Sequence, residues 1–226
     1  MFTIVAPIDT NRLEQFQKTK RVYDTMPEVK EFIMPTRSYE AVHDYLTRNR
    51  LMKDVKLVPY KHATGFNPSK ALNIGVRNAK YNNIIITSPE VKPRPDVLEK
   101  LSQVLDQNVI CRVWDEDEAN KVYSVLVQEG YRDQTPAMYF LAMFIKSDVE
   151  KINGWDENFM DGYAYEDNDF GERWERAELP FIVRDDIEGT HQYHPRGETV
   201  PNGLAINNQH LLDNRDHINR VVWLFL

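Results

Sequence analysis

Short apolar runs alternate with amphipathic stretches along the first half of the chain. The apolar runs have the length and the β-branched composition of strands, and they are FTIVAP (2–7), EFIMP (31–35), VKLVP (55–59) and NIIIT (83–87). Each is followed by a stretch with helical spacing of its apolar positions, at 10–25, 38–49, 67–80 and 94–107. This alternation predicts a parallel, Rossmann-like sheet with helices on both faces.

The second half follows a different pattern. Strand-like runs come first, without long helices between them, at 108–114, 121–128 and 137–146. A helix over about 166–177, a strand at 181–185, a histidine-bearing segment and a final helix near 203–218 come next, and the terminal VVWLFL is interpreted as a strand or packed tail. The pattern predicts one α/β domain over 1–226, with a doubly wound half (1–108) and a mixed half (109–226).

Composition narrows the class of protein. The 226 residues are 42% hydrophobic and 28% charged, which is ordinary for a soluble globular domain. The single cysteine, Cys111, lies in an apolar run and is expected to be buried. A chain with one cysteine cannot form an internal disulfide, which suits a reducing compartment. No signal peptide, anchor or membrane-spanning stretch is recognised, so a cytoplasmic location is expected. The net charge of −7 argues against a broad nucleic-acid surface, although a bridging metal ion could still admit an anionic ligand.

Ligands of open α/β sheets bind beyond the carboxyl ends of the strands. Glu90, in SPEV (88–91), follows a very apolar strand, where a carboxylate can bind a divalent cation or simply be solvated in a turn. His191 and His194, in THQYHPR, can share a metal if the chain turns, but they would point to opposite faces of an extended strand. Imidazole with carboxylate suits Mn²⁺ or another first-row ion better than Ca²⁺.

The segment 161–170, DGYAYEDNDF, combines four acids with two tyrosines. Acids at the start of a helix are favourable, which explains one or two of them. Aromatic rings beside carboxylates are also what a sugar site needs, because sugar faces stack on rings and hydroxyls bond to carboxylates. One carboxylate could take a proton from an attacking hydroxyl, and its position at a helix start predicts a low pKa.

One basic side chain adds to the candidate chemistry. Lys70 is near the N-terminal end of the third predicted helix, and such an end can hold a phosphate group. The alternative is a solvated lysine on the helix surface, and the sequence leaves both possibilities open.

Several segments, in the same order, resemble β-1,4-galactosyltransferases and related GT-A glycosyltransferases. FNPSKALNIGVRNA followed by NIIITSPEVKP resembles their nucleotide-sugar half, in which an F-N-x-x-K-x-L-N-x-G helix leads into a strand and an Asp-x-Asp motif. NGWDENFMDGYAYEDNDFGERW resembles their acceptor segment, HPRG their metal-binding histidine segment, and APIDTNR the first-strand end that contacts the base.

The resemblance implies roles for individual residues. The implied metal ligands are Glu90, His191 and His194, with Mn²⁺ as the ion and Mg²⁺ as the alternative. Asp167 matches the catalytic base and Glu166 its neighbour that contacts acceptor or donor. The implied donor-binding residues are Pro7, Asn11, Arg12, Phe66, Lys70, Ser88 and the loop aromatic Tyr163.

The chain also departs from the family pattern. Ser88 replaces the first Asp of the metal motif, and Ala164 and Tyr165 replace two glycines, so galactose is not carried over. The prediction is a GT-A enzyme that moves a sugar from a nucleoside-diphosphate sugar to an acceptor hydroxyl. A UDP-sugar is the expected donor, and the resemblance implies inversion at the anomeric carbon. The acceptor could be a glycan, a lipid-linked sugar, a protein or a modified nucleic-acid base.

Two alternatives have a basis in the same residues. Ser88 makes a non-catalytic nucleotide-sugar or glycan-binding module on this fold conceivable. A nucleotidyltransferase ranks lower, because APIDTNR contains no glycine for a phosphate loop.

Overall fold

The structure is a computed structural model of the chain. It describes residues 1–61, 66–117, 122–125, 140–159, 164–195 and 201–218. Tyr163 and the terminal VVWLFL therefore lie outside the described residues, as does part of the predicted strand at 121–128.

The elements of the described residues alternate between strands and helices. The strands are β1 Phe2–Val5, β2 Val29–Thr36, β3 Val55–Pro59, β4 Asn83–Thr87, β5 Val91–Pro93, β6 Val109–Glu116, β7 Val122–Val125, β8 Leu141–Ile145 and β9 Ile182–His191. The helices are α1 Leu13–Tyr23, α2 Tyr39–Arg48, α3 Pro68–Asn78, α4 Val97–Leu101, α5 Lys146–Lys151, α6 Glu166–Arg176 and α7 Gly203–Asn214. Short 3₁₀ turns occupy Thr10–Arg12 and Ser102–Val104.

The described strands form one mixed sheet in the order β3-β2-β1-β4-β8-β6-β9-β5, with β7 paired to β6. β3, β2, β1 and β4 are mutually parallel. β8 then runs antiparallel to both β4 and β6, while β6 and β9 are parallel. The predicted parallel first half and mixed second half are therefore confirmed.

The two central parallel strands are covered on both faces. Every residue of β1 is buried, and Ile84, Ile85 and Ile86 of β4 are completely inaccessible to solvent. Successive side chains of a strand point to opposite faces, so packing must cover both sides of the sheet here. Cys111 is buried as expected.

Four predicted boundaries are wrong. The helix predicted over 94–107 is helical only over Val97–Leu101 and the 3₁₀ turn after it, and the final helix ends at Asn214 rather than at 218. The predicted strand 137–146 gives way to α5 at Lys146, whose amide bonds to the carbonyl of Asn82. The strand predicted over 181–185 continues to His191, because it pairs with both β5 and β6. Those partners lie far away in sequence, so no local pattern marks the extension.

α3 packs unusually close to β1. A Cβ atom added at Gly75 would lie 2.2 Å from Cγ1 of Val5, a distance at which the two atoms clash. Only glycine permits this approach without displacing β1. The glycine of the helix motif thus sets the spacing between α3 and the strand that leads into the site.

The two asparagines of the same motif hold the segment that precedes the acidic cluster. Asn73 donates to the carbonyl of Trp155 at 2.8 Å and accepts from its amide at 2.9 Å. Asn67 caps α3 through the amide of Lys70 and donates to the carbonyl of Glu157 at 3.1 Å. The resemblance relates this motif to nucleotide-sugar binding, and the contacts give it a structural task as well, because they hold the segment 155–157 against α3.

One acid of the cluster is structural. Asp169 accepts from Nε of Arg173 at 2.7 Å, and both side chains are completely buried. Arg173 also donates to the carbonyl of Ile152, and Phe170 stacks on Trp155 with ring centroids 4.0 Å apart. These contacts fix α6 against the preceding segment, and they involve Asp169 but not Glu166 or Asp167.

Candidate active site

A cleft of about 500 Å³ opens beyond the carboxyl ends of β1 and β4. This is the edge at which open α/β sheets bind ligands. The cleft is lined by Pro7, Asp9, Asn11, Arg12, Phe66, Pro68, Leu72, Thr87, Ser88, Pro89, Glu90, Phe140, Phe159, Ala164, Glu166, Asp167 and Asn207.

The structure brings most of the sequence-predicted site residues to this cleft. Those that line it are Pro7, Asn11, Arg12, Phe66, Ser88, Glu90, Glu166 and Asp167. His191 and His194 lie directly beside Glu90. Lys70 stands in the first turn of α3 but is not among the lining residues, so its role stays a prediction.

Glu90, His191 and His194 converge on one point. Nε2 of His191 lies 3.7 Å from Oε1 of Glu90, and Nε2 of His194 lies 3.6 Å from the same oxygen. One potential ligand atom from each residue lies within 4.8 Å of the others. His191 ends β9 and His194 follows the strand, so the two rings are not forced to opposite faces. The extended-strand objection to a shared metal therefore does not apply.

The surroundings of Glu90 keep its carboxylate ionised. Burial alone raises the pKa of Glu90, but the imidazoles of His191 and His194 and the charge of Arg12 outweigh it and lower the pKa to about 2. Oε2 of Glu90 is buried and has no hydrogen-bond partner among the described residues. One ionised carboxylate and two imidazoles fit a first-row divalent ion, as the sequence predicted.

Gln192 holds the Glu90 turn in place. Its backbone amide and its side-chain Nε2 both donate to the carbonyl of Glu90, at 3.0 and 2.9 Å. The same Nε2 lies 2.9 Å from Oγ1 of Thr19 in α1. Sequence analysis missed this residue, because a glutamine between two histidines carries no signal of a contact 102 positions away.

Glu166 and Asp167 line the cleft from the first turn of α6. Burial raises the pKa of both carboxyls, and the charge of Asp167 adds to the effect on Glu166, whose pKa reaches about 8. The low pKa expected from the helix start is therefore wrong, because loss of hydration outweighs the favourable helix N-terminus.

A strained turn delivers this pair to the cleft. Ala164 and Tyr165 have φ values of 61° and 73°, in the left-handed region that favours glycine. The motif that this segment resembles has glycines at these two positions. Asn207 of α7, which sequence analysis also missed, donates to the carbonyl of Ala164 at 2.8 Å and holds the turn.

Glu166→Gln is expected to change how stability depends on pH. The unfolded carboxyl loses its proton near pH 4.5, whereas the folded one keeps it to about pH 8. Between these values the folded state binds the extra proton, so the wild-type free energy of unfolding falls as pH rises. The variant lacks this term and should gain stability relative to wild type between about pH 5 and pH 8, by on the order of a few kcal/mol. Urea unfolding at both pH values measures the difference, and equal pH slopes would contradict it.

Asp9 organises the end of the cleft nearest to β2. It accepts from the amide of Thr10 at 2.8 Å and from Oγ of Ser38 at 2.6 Å, and Arg37 lies 3.8 Å away. Phe66, which is 37% exposed, contributes a ring to the same cleft. A carboxylate can accept hydrogen bonds from a nucleobase, and an exposed aromatic ring can stack on one.

Comparison with known proteins supports the fold. Residues 136–195 match a family model described as the N-terminal domain of galactosyltransferase, and this span includes Glu166, Asp167, His191 and His194. No curated protein sequence matches the chain significantly. Among the described residues, no helix has the length and apolar character needed to cross a bilayer.

Three solved structures illustrate the structural similarity. TarS of S. aureus in complex with UDP-GlcNAc superposes with a TM-score of 0.66 and 13% identity over 88% of this chain, and its complex with UDP gives 0.64 and 13% over 86%. The mannosyltransferase PcManGT of Pyrobaculum calidifontis, in complex with GDP-Man and Mn²⁺, gives 0.62 and 16% over 87%. This chain spans about three fifths of their lengths, at 60%, 61% and 58% respectively. The chain therefore has the fold of GT-A glycosyltransferases and carries a segment similar to the galactosyltransferase family.

Proposed function

We propose that the protein transfers a sugar from a nucleoside-diphosphate donor to an acceptor hydroxyl, with inversion at the anomeric carbon. The observation that carries the proposal is the cleft itself. It combines Glu90, beside its two histidines, with the carboxyls of Glu166 and Asp167. The resemblance to GT-A enzymes supports the same assignment, and UDP is the first donor to test.

Asp167 is the proposed base. It lines the cleft while Asp169, two positions later, is locked to Arg173 and cannot serve. Burial raises the pKa of Asp167, so its carboxylate accepts a proton more readily than an exposed one. Glu166 retains its proton near neutral pH and can donate a hydrogen bond to a substrate oxygen, which gives the two neighbouring carboxyls different tasks.

Glu90, His191 and His194 would hold the divalent metal, with Mn²⁺ proposed and Mg²⁺ as the alternative. A bound cation of this kind stabilises the negative charge of a departing diphosphate. Arg12, whose Nε lies 3.6 Å from Oε1 of Glu90, would add a second positive charge beside the metal. Ser88 lines the cleft where the related family has its first metal-motif Asp, so this chain is proposed to rely on its two imidazoles instead.

The donor base is proposed to lie at the end of the cleft formed by Pro7, Asn11 and Phe66. The acceptor is proposed to enter on the side of Asp167, and Phe159 is among the residues that line the same cleft. The acceptor is proposed to carry a hydroxyl group and to be a glycan, a lipid-linked sugar, a protein or a modified nucleic-acid base.

A thermal-shift screen of nucleotides and nucleotide sugars, with and without Mn²⁺, tests the proposal. A ligand present at 100 times its Kd stabilises the folded state by about 2.7 kcal/mol, so a true donor should raise Tm clearly. The rise with UDP or a UDP-sugar is expected to be larger in the presence of Mn²⁺. Donor turnover measured on the best ligand then separates a transferase from a binding module on the same fold. Absence of any nucleotide-dependent shift would overturn the assignment.

A further inference from the structure

Asp115 lies at the carboxyl end of β6, next to the histidine-bearing end of β9. The two strands are parallel, and their register pairs Asp115 with His191. Oδ1 of Asp115 lies 3.1 Å from Nδ1 of His191. The pairing of β6 with β9 therefore sets the position of the Asp115 carboxylate beside the His191 ring.

The contact leaves one ring nitrogen of His191 for the site. A neutral imidazole that donates its Nδ1–H to a carboxylate keeps the lone pair of Nε2 available as a ligand. Nε2 is the atom that lies 3.7 Å from Glu90. The ring of Phe140 meets the His191 ring edge-on, with centroids 5.8 Å apart, so the imidazole is held from two directions.

The second histidine is held differently. Nδ1 of His194 lies 3.0 Å from the carbonyl of Pro195, its own neighbour in sequence, so this contact does not tie the ring to another element. Between the two histidines, the amide of Tyr193 donates to Oε2 of Glu116 at 3.2 Å. The end of β6 thus supports the segment at two points, and the side-chain contact falls on His191.

We infer that Asp115 is a positioning residue of the metal site, which fixes the His191 imidazole with Nε2 directed at the cation. The inference rests on the metal site of the proposed function, but not on the transfer reaction. Carboxylates in this relation to a ligating histidine fix its tautomer and raise its basicity, and their loss typically lowers metal affinity by about 10- to 100-fold.

The test is metal binding by the metal-free protein, without nucleotide or acceptor. Mn²⁺ affinity is measured by calorimetry, and Co²⁺ is used as a spectroscopic probe of the ligand environment. Asp115→Asn is expected to weaken Mn²⁺ binding by about 10-fold or more and to shift the Co²⁺ absorption bands. Asp185→Asn is the matched control, because Asp185 is a β9 carboxylate, 55% exposed, that pairs with Arg112 away from the cleft. This control should bind both ions like wild type.

Two further variants separate the possible results. His191→Ala should abolish most of the binding, and Asp115→Glu should recover part of the affinity lost in Asp115→Asn. If His191→Ala loses affinity while Asp115→Asn stays within twofold of wild type, Asp115 has no positioning role. If His191→Ala binds as wild type does, no such metal site exists and the inference fails with it. Thermal unfolding without metal confirms that each variant is folded, and a failed transfer assay would leave these results intact.

Discussion

Asp167→Asn is expected to abolish sugar transfer while donor binding stays close to that of wild type. The amide keeps the size of the carboxylate but cannot accept the proton of the attacking hydroxyl, and general-base catalysis contributes about 10²- to 10⁴-fold to such rates. Asp167 lines the cleft from the first turn of α6, whereas Glu90 lies between β4 and β5. The substitution therefore should not disturb the part of the cleft proposed to bind the diphosphate. Steady-state transfer and calorimetric titration with the donor measure the two effects separately.

The control for this variant is Asp44→Asn. Asp44 lies on α2, with its side chain 62% exposed, and pairs only weakly with Arg48. The same chemical change there should leave both transfer and donor affinity unchanged. Transfer by Asp167→Asn at more than about a tenth of the wild-type rate would rule out Asp167 as the base. Loss of donor binding in parallel with activity would instead assign Asp167 to the donor pocket.

Glu90→Gln is expected to remove metal binding and the metal-dependent part of donor affinity. Glu90 is the one carboxylate of the described three-residue cluster, and both histidines face the same oxygen. Loss of a direct ligand should exceed the roughly 10- to 100-fold effect typical of a residue that only supports a ligand. Mn²⁺ should then no longer increase the affinity for UDP. Calorimetric titrations with Mn²⁺ alone, with UDP alone and with UDP in excess Mn²⁺ measure these terms.

Glu99→Gln provides the matched control. Glu99 is exposed on α4, and the substitution removes one negative charge without touching the cleft. It should retain both Mn²⁺ affinity and the cooperation between metal and nucleotide. Wild-type Mn²⁺ affinity in Glu90→Gln would show that the carboxylate is not a ligand. A Tm in metal-free buffer establishes that the variant is folded before either conclusion is drawn.

The parallel half of the fold follows from local pattern. β1 and β4 are short, apolar and buried on both faces, and the helices between the first four strands have clear apolar spacing and, for α3, Asn67 as a cap followed by Pro68. Local propensity and burial point the same way in these elements, so periodicity is sufficient to find them. The roles suggested by resemblance likewise required only motifs within single segments.

The strands at the other edge of the sheet depend on pairing between distant segments. β5 has three residues, and the local sequence SPEV predicts only a turn at its start. It becomes a strand because it lies antiparallel to β9, where Val91 pairs with His191. The same end of β9 pairs with β6 at Asp115. A three-residue strand has too little local signal to be recognised, since its stability comes from its partner.

The acid cluster divides for a reason that sequence cannot show. Four like charges in one segment have similar local preferences, yet Asp169 is buried against Arg173 while Asp167 lines the cleft. Asp167 and Asp169 are two positions apart in an α-helix, so their side chains point in directions about 200° apart around the helix axis. Which face turns inward depends on the packing of Phe170 on Trp155, a contact between segments. Burial also raises the pKa of Glu166 and Asp167, whereas the helix start alone predicts a low pKa.

The chain by itself determined the alternation of strands and helices, the carboxyl-end location of the candidate segments and the residue types available for chemistry, because these depend on spacing and propensity within a few turns. Tertiary structure decided the distances between Glu90, His191 and His194, the contacts of Asp115 with His191 and of Asn207 with the carbonyl of Ala164, and the burial that raises the pKa of Glu166. The physical reason is that ligand geometry and pKa depend on distance and burial in space, which strand pairing sets between residues far apart along the chain.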